Sequence, residues 1–230
     1  MAQARRHFHD ELAALERSVQ TMGADVQKLF AEALVALAEQ DPERCRTVIA
    51  GDDAIDRVYL HNEMWIMDLL ALQAPVASDL RLISALLHIT LHLERIADMA
   101  VNIAKIVKLA SGLPRSERVM EHLEEMGAVA QKMLGAAMHA FAQRDYELCR
   151  RLPEMDDPID RLNRGMLAEV LEASDDKQIL EWGIRMHVVS RQIERIGDHA
   201  VDIGEQVAFL VTGEFVEFVD ASHPERGIGE

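Results

Sequence analysis

The chain has 230 residues, a formal net charge of −16 and only 4% aromatic residues. Such an acidic chain is not expected to bind nucleic acid or anionic lipid, because both require basic surfaces; abundant Ala, Leu and Met favour helices over sheets. We expect a cytoplasmic protein without a transmembrane segment, since no apolar run reaches the roughly 18 residues that a membrane-spanning helix needs and residues 1–10 carry no signal-peptide core.

Three helices are predicted in the first half of the chain from apolar residues at helical spacing, over about residues 7–39, 42–72 and 78–110. Asp41 is expected to cap the second helix, with Pro42 at its first position. Ser78 and Asp79 are predicted to cap the third helix, because an acid suits the positive end of the helix dipole. The segment 111–114, Ser-Gly-Leu-Pro, ends this half.

Three further helices are predicted in the second half, over about residues 116–143, from 145 onward, and from 174–176 to 212. Asp145 is expected to cap the middle one. Pro153 and Pro158 lie within it, and a proline inside a helix removes a hydrogen bond and clashes with the preceding turn. We therefore expect a break between Leu152 and Asp157, with Asp157 capping the helix where it resumes.

The two halves are copies of one another, which decides how the chain is organised. A shift of 104 residues aligns Met22-Gly23 with Met126-Gly127, Cys45 with Cys149, and Asp52-Asp53 with Asp156-Asp157; beyond these positions the shift falls to 100. Long helices with short connections favour antiparallel neighbours. The predicted fold is therefore all-α, with two pseudo-symmetric antiparallel three-helix bundles. Its parts are residues 1–112, residues 113–216, and a C-terminal tail, residues 217–230, expected to be disordered from about Ala221.

Each copy carries the pattern E-R-I-x-D on its third helix, at residues 94–98 and 194–198. Residues four apart share a helix face, so two stripes are predicted: Glu94, Asp98 and Asn102, and Glu194, Asp198 and Asp202. The preceding helices add Asp52, Asp53 and Asp56, and Asp156, Asp157 and Asp160. Clustered carboxylates repel one another unless a cation or arginines neutralise them. Two alternatives stay open: a divalent metal such as Fe, Mn, Mg or Zn, or a solvated acidic face paired with Arg57, Arg95, Arg161 and Arg195.

Other chemical groups give weaker signals. Cys45 and Cys149 occupy equivalent places and are predicted to be small buried residues rather than a disulfide pair. His88 and His92 lie away from the stripe on their helix, and His199 points about 100° from it, so structural roles are favoured for them. No nucleotide-binding Gly-rich loop, serine nucleophile motif or Glu-x-x-His unit occurs. We predict no catalytic residue and no enzyme, and a protein-binding helical scaffold remains possible.

The sequence combines several short motifs: Arg6-His7-Phe8, Met22-Gly23, Met126-Gly127, Asp52-Asp53-x-Ile55-Asp56, the loop from Leu72 to Arg81, both E-R-I-x-D segments, and Phe209-Leu210-Val211-Thr212-Gly213-Glu214. Through these motifs it resembles the PhoU family over about residues 5–216. Any one E-x-x-x-D pattern is common, whereas this combination is specific. It implies two three-helix bundles, in agreement with the repeat.

The resemblance also implies a function. It indicates a negative regulator of the phosphate-starvation response, which couples the ATPase subunit of a phosphate ABC transporter to a phosphate-sensing histidine kinase and modulates phosphate uptake at the membrane. We also expect a homodimer. The alternatives are a metal-dependent helical enzyme or metal store, and a metal-free scaffold.

Metal binding through E/D-x-x-x-D motifs is a further implication of the resemblance, with divalent or trivalent ions, single or in multinuclear clusters. The motif residues here are Glu94 with Asp98 and Glu194 with Asp198. Supporting ligands are expected from Asp53, Asp56, Asp157, Asp160 and Asp202. Because the first copy has Asn102 where the second has Asp202, the two sites are expected to differ in charge.

Overall fold

The computed structural model describes residues 2–73, 75–172 and 176–218, and over these ranges the chain is helical with no strand. The helices are α1 (Ala2–Glu39), α2 (Pro42–Gln73), α3 (Ser78–Ala110), α4 (Glu117–Gln143), α5 (Tyr146–Arg150), α6 (Leu152–Glu172) and α7 (Lys177–Thr212). None of them has an 18-residue stretch apolar enough to cross a bilayer. Ser174, Asp175 and the tail from Ala221 lie outside the described residues.

The predicted helix starts agree with the structure at most positions. Asp145 accepts a hydrogen bond from the Leu148 N–H at 3.0 Å, and Asp41 accepts one from the Glu43 N–H at 2.8 Å. The cap predicted for α3 is wrong: the residue before this helix is Ala77, which makes no side-chain cap hydrogen bond, and Ser78 is already the first helical residue. The side-chain caps at Asp41 and Asp145 therefore specify these two helix starts more directly than any local signal specifies the start of α3.

The break in the second copy lies at Arg151, one residue before the predicted interval. Arg151 keeps nearly helical dihedral angles (φ −92°, ψ −10°) between α5 and α6. Pro153 thus falls in the first turn of α6, where its missing N–H costs no helical hydrogen bond. Pro158 lies inside α6, and Asp157 is an interior residue rather than a cap. The two prolines therefore do not separate the acidic residues of this helix.

Two three-helix bundles are present, as predicted, because α5 and α6 together take the place of one helix. In the first, α1 and α2 pack against α3, and in the second, α4 and α6 pack against α7. The most extensive contact in the described ranges joins the bundles, between α3 and α7. These two helices are antiparallel, since Arg81 near the start of α3 meets Gly213 after the end of α7, while His92 meets His199.

A second contact between the bundles joins α1 and α4. Gln131 donates a side-chain hydrogen bond to the carbonyl of Gln27 at 3.2 Å, and these glutamines are equivalent positions of the repeat. A Cβ atom at Gly127 would lie 2.5 Å from Leu34 Cδ2. The two Met-Gly pairs of the sequence therefore mark the place where α1 and α4 approach closely. Equivalent residues that touch each other lie beside the pseudo-twofold axis.

The two cysteines are buried and unpaired, as predicted. Burial raises the pKa of the Cys149 thiol to about 12, so it stays protonated at neutral pH and is a poor nucleophile. The cysteines contribute to packing.

Replacing Gly197 with alanine is expected to lower the free energy of unfolding by about 1–2 kcal/mol. A Cβ atom there would overlap Asp156 Oδ1 and lie 3.3 Å from Ile159 Cδ1, and this overpacking of α6 against α7 outweighs the helix propensity gained. Gly165→Ala is the matched control, because its Cβ would meet only Glu169 Oε1, at 3.9 Å. That control is expected to be neutral or stabilising by up to about 1 kcal/mol. Urea unfolding would measure both, and equal stabilisation by the two variants would contradict this packing.

Candidate functional site

The first acidic patch lies between α2 and α3. Asp52 and Asp56 are four residues apart on α2, and Glu94 and Asp98 are four apart on α3, so each pair projects from one helix face. Burial raises the pKa of Glu94, and the charges of Asp98, Asp56 and Asp52 raise it further. Burial likewise raises the pKa of Asp52, with contributions from Asp56 and Asp98. The four carboxyl groups therefore form one electrostatic cluster.

The second acidic patch repeats this arrangement between α6 and α7. Burial, then the charges of Glu194, Asp160 and Asp202, raise the pKa of Asp198 to about 7. Burial also raises the pKa of Glu194, although the guanidinium of Arg191 opposes the shift. Asp160 is buried, at 6% exposure. Negative charge is thus concentrated at low solvent exposure, which favours proton or cation binding.

The predicted supporting residues have unequal positions. Asp53, Asp56 and Asp157 are exposed, whereas Asp160 is buried. The inward positions are filled by Asp52, which is half-buried, and Asp156, which is 1% exposed. The expected ligand set left both of these out. Their four-residue spacing to Asp56 and Asp160 places them on the face that meets the next helix, and this signal could have identified them.

Arginines neutralise the patches only in part. Arg95 Nε lies 3.5 Å from Glu94 Oε2, and Arg191 donates to Glu194 Oε1 at 2.5 Å. Within the described ranges, Asp52 Oδ1, Glu94 Oε2 and Glu194 Oε2 are buried and accept no hydrogen bond, so the ion pair with Arg95 does not satisfy the Glu94 oxygen fully. Buried carboxylate oxygens that accept no hydrogen bond are costly. Both patches therefore have the donor chemistry that a hard or borderline metal ion requires.

A third cluster joins the two bundles at the α3–α7 contact. His92 Nδ1 lies 3.1 Å from His199 Nδ1, and Asp202 Oδ2 is 3.1 Å from His199 Nδ1 and 3.4 Å from His92 Nδ1. In the part of the chain described here, His92, His199 and Asp202 are brought together with their donor atoms within 4.8 Å of one another, which is close enough to hold one metal ion. Burial lowers the pKa of His92 to about 4, so its ring is neutral at physiological pH.

Sequence reasoning missed this cluster. The two histidines were assigned structural roles because each lies off the carboxylate stripe of its own helix. Their proximity depends on the antiparallel register of α3 and α7, which no local pattern specifies. In the repeat, Gln192 is equivalent to His92, and Met99 is equivalent to His199. Because neither histidine is repeated, the repeat did not indicate the cluster either.

Comparison with known proteins identifies the family. A model described as the PhoU domain matches the chain twice, over residues 19–107 and 123–207. The chain belongs to the PhoU family. The two PhoU domain matches fall in the two copies of the repeat and include both E-R-I-x-D segments.

Relatives and solved structures of the PhoU family agree with this assignment. The chain is 33% identical over 210 residues to a protein of Synechocystis sp. named phosphate-specific transport system accessory protein PhoU homolog, covering 91% of this chain and 93% of the relative. The crystal structure of PhoU from Pseudomonas aeruginosa is similar, with a TM-score of 0.85 and 31% identity, over 90% of this chain and all of that one. The phosphate transport system regulatory protein PhoU from Streptococcus pneumoniae has a TM-score of 0.82 and 29% identity, over 91% and 99% of the two chains.

Proposed function

We propose that the protein is a negative regulator of the phosphate-starvation response. In this proposal it is an adaptor that couples the ATPase subunit of a phosphate ABC transporter to a phosphate-sensing histidine kinase. It performs no catalysis and modulates phosphate uptake from the cytoplasmic side of the membrane. The observation that carries the proposal is the pair of PhoU domain matches, together with relatives named as accessory proteins of phosphate-specific transport. Residues 1–112 and 113–216 are proposed as its two structural units.

Metal ions at the two acidic patches are part of this proposal. The proposed ligands are Asp53, Asp56, Glu94 and Asp98 in the first patch, and Asp157, Asp160, Glu194, Asp198 and Asp202 in the second, with Asp52 and Asp156 added from their inward positions. A bound ion would neutralise carboxylates that otherwise repel one another. The buried oxygens of Asp52, Glu94 and Glu194 that accept no hydrogen bond support this assignment.

An exposed apolar stripe supports an adaptor role. Leu60, Met64 and Met67 lie on α2 at the spacing of one helix face, and each is more than half exposed. A contiguous exposed apolar surface of this kind is typical of a protein interaction site, and methionine adapts to different partner surfaces. We propose that this stripe contacts a protein partner: the transporter ATPase, the kinase or a second copy of the chain in a homodimer.

Binding to the two purified partners would test the adaptor proposal. The chain is expected to bind the transporter ATPase subunit and the cytoplasmic part of the kinase from the same bacterium. Met64→Glu should weaken at least one of these complexes, because it places a charge in an apolar contact. Leu109→Glu is the matched control, since Leu109 is equally exposed, at 70% against 69% for Met64, but lies on α3. Absence of binding to both partners would contradict the proposal.

A further inference from the structure

The contact between α3 and α7 brings together three donor atoms from distant parts of the sequence. His199 and Asp202 are three residues apart on α7, and His92 comes from α3 of the other bundle. Their Nδ1, Oδ2 and Nδ1 atoms form a triangle with sides of 3.1, 3.1 and 3.4 Å.

Hydrogen bonding alone does not account for this triangle. An imidazole Nδ1 either donates or accepts, and an ionised carboxylate only accepts. If His199 donates to both neighbours, the lone pair of His92 faces the carboxylate at 3.4 Å. If His92 donates instead, the lone pair of His199 faces the carboxylate at 3.1 Å. If both rings carry their proton at Nδ1, the two N–H groups face each other at 3.1 Å. Each of these arrangements therefore leaves one repulsive contact.

A metal ion would turn all three contacts into attractive ones. Zinc binds imidazole nitrogen and carboxylate oxygen at about 2.0–2.2 Å, and tetrahedral ligands at these lengths lie about 3.4 Å apart. An ion about 2.1 Å from each of the three donors would stand about 1 Å out of their plane. Two imidazoles and one carboxylate suit zinc and its first-row neighbours. The donors are thus already spaced as one face of a coordination shell.

The site has a solvent side and a protein side. The side chains of His92 and His199 are 17% and 18% exposed, whereas that of Asp202 is 41% exposed. An ion can therefore enter past the carboxylate while the rings stay held between the helices. Three protein donors leave a further position for water or another ligand.

We propose that His92, His199 and Asp202 bind one divalent first-row metal ion, of the zinc class, that links the two bundles. This site shares Asp202 with the ligands proposed for the second acidic patch, but it differs from both patches in its nitrogen donors. It occurs once per chain, because the equivalent residues Met99, Gln192 and Asn102 do not form such a set. It does not depend on the proposed regulatory function. It would join α3 to α7 directly and stabilise their contact.

Titration of the metal-free chain with Co²⁺ would test this site. Nitrogen-rich sites of low coordination number give intense visible bands with cobalt, whereas octahedral carboxylate sites give weak ones. We expect intense bands that saturate at one ion per chain and that Zn²⁺ removes by competition. His92→Gln and His199→Gln should each lose these bands and weaken Co²⁺ binding by at least about tenfold.

Two controls make the result specific. His122→Gln should keep the bands, although His122 also pairs with a carboxylate on a neighbouring helix, Glu169, at 2.6 Å. Glu194→Gln combined with Asp198→Asn should also keep them, since it alters only the acidic patch. Absence of intense bands in the unaltered chain, or bands that survive both histidine substitutions, would overturn the proposal. Because the readout is spectroscopic, loss of phosphate control in cells would leave this result unaffected.

Discussion

Trp182→Ala is expected to lower the free energy of unfolding by about 3–5 kcal/mol, the usual cost of removing a fully buried large aromatic side chain. Trp182 is 0% exposed and is the largest fully buried side chain in the described ranges. It lies near the start of α7, beside Gly183, where α7 meets Val170 of α6. The cavity left by the indole would loosen the helix pair that carries the second acidic patch. For a chain of this size the melting temperature should fall by roughly 6–20 °C.

The other tryptophan of the chain is the matched control. Trp65 lies on α2 and is only half-buried. Its ring is tilted relative to the ring of His61, with centroids 5.5 Å apart. Trp65→Ala should therefore lower the free energy of unfolding by less than half as much as Trp182→Ala, because folding buries less apolar surface of Trp65. Thermal and urea unfolding of both variants would measure the difference. Equal losses would contradict the burial assigned to Trp182.

Neutralising the second acidic patch should change stability in opposite directions with and without metal. The double variant Glu194→Gln and Asp198→Asn removes two α7 carboxyl groups that interact with Asp160. The folded pKa of Asp198, about 7, lies above its ordinary value of 3.8. The stability contributed by this group is therefore present at low pH and is lost as the pH rises from about 4 to about 7. Without metal, the double variant should be more stable than the unaltered chain at pH 8 and similar to it at pH 4.

Added metal should reverse that order. If the second patch binds Fe, Zn, Mn or Mg, an ion at one hundred times its Kd would stabilise the unaltered chain by about 2.7 kcal/mol through this patch. The double variant should lose this part of the metal response and keep the part that the other proposed sites contribute. Melting curves of the unaltered chain and the double variant at pH 8, with and without each ion, would measure the stabilisation by metal. The equivalent pair, Glu94→Gln with Asp98→Asn, shows whether the first patch responds in the same way. A full metal response in both double variants would exclude these carboxylates as ligands.

Local signals explain why much of the fold could be predicted from the sequence. Asp41 and Asp145 cap helices through their own side chains, so each helix start was readable from a few neighbouring residues. The repeat then placed both copies in one architecture. The break near Pro153 was misplaced because a proline in the first helical turn costs little, and Arg151 could supply the interruption one residue earlier.

The candidate sites were predictable to different degrees. Glu94 and Asp98 were identified because a spacing of four residues places both on one helix face. The same four-residue rule pairs Asp52 with Asp56 and could have favoured Asp52 over Asp53 as a ligand. His92 and His199 lie 107 residues apart, and only the antiparallel register of α3 and α7 brings them together.

Alkaline phosphatase activity in a deletion strain of the source organism, grown in abundant phosphate, tests the proposed regulatory function most directly. We predict high activity in the deletion strain and low activity once the intact gene is restored, because the protein is proposed to keep the phosphate-starvation response off. Rescue by the gene carrying Glu194→Ala with Asp198→Ala would show whether the second acidic patch takes part. Low phosphatase activity and normal phosphate uptake in the deletion strain would contradict the proposal.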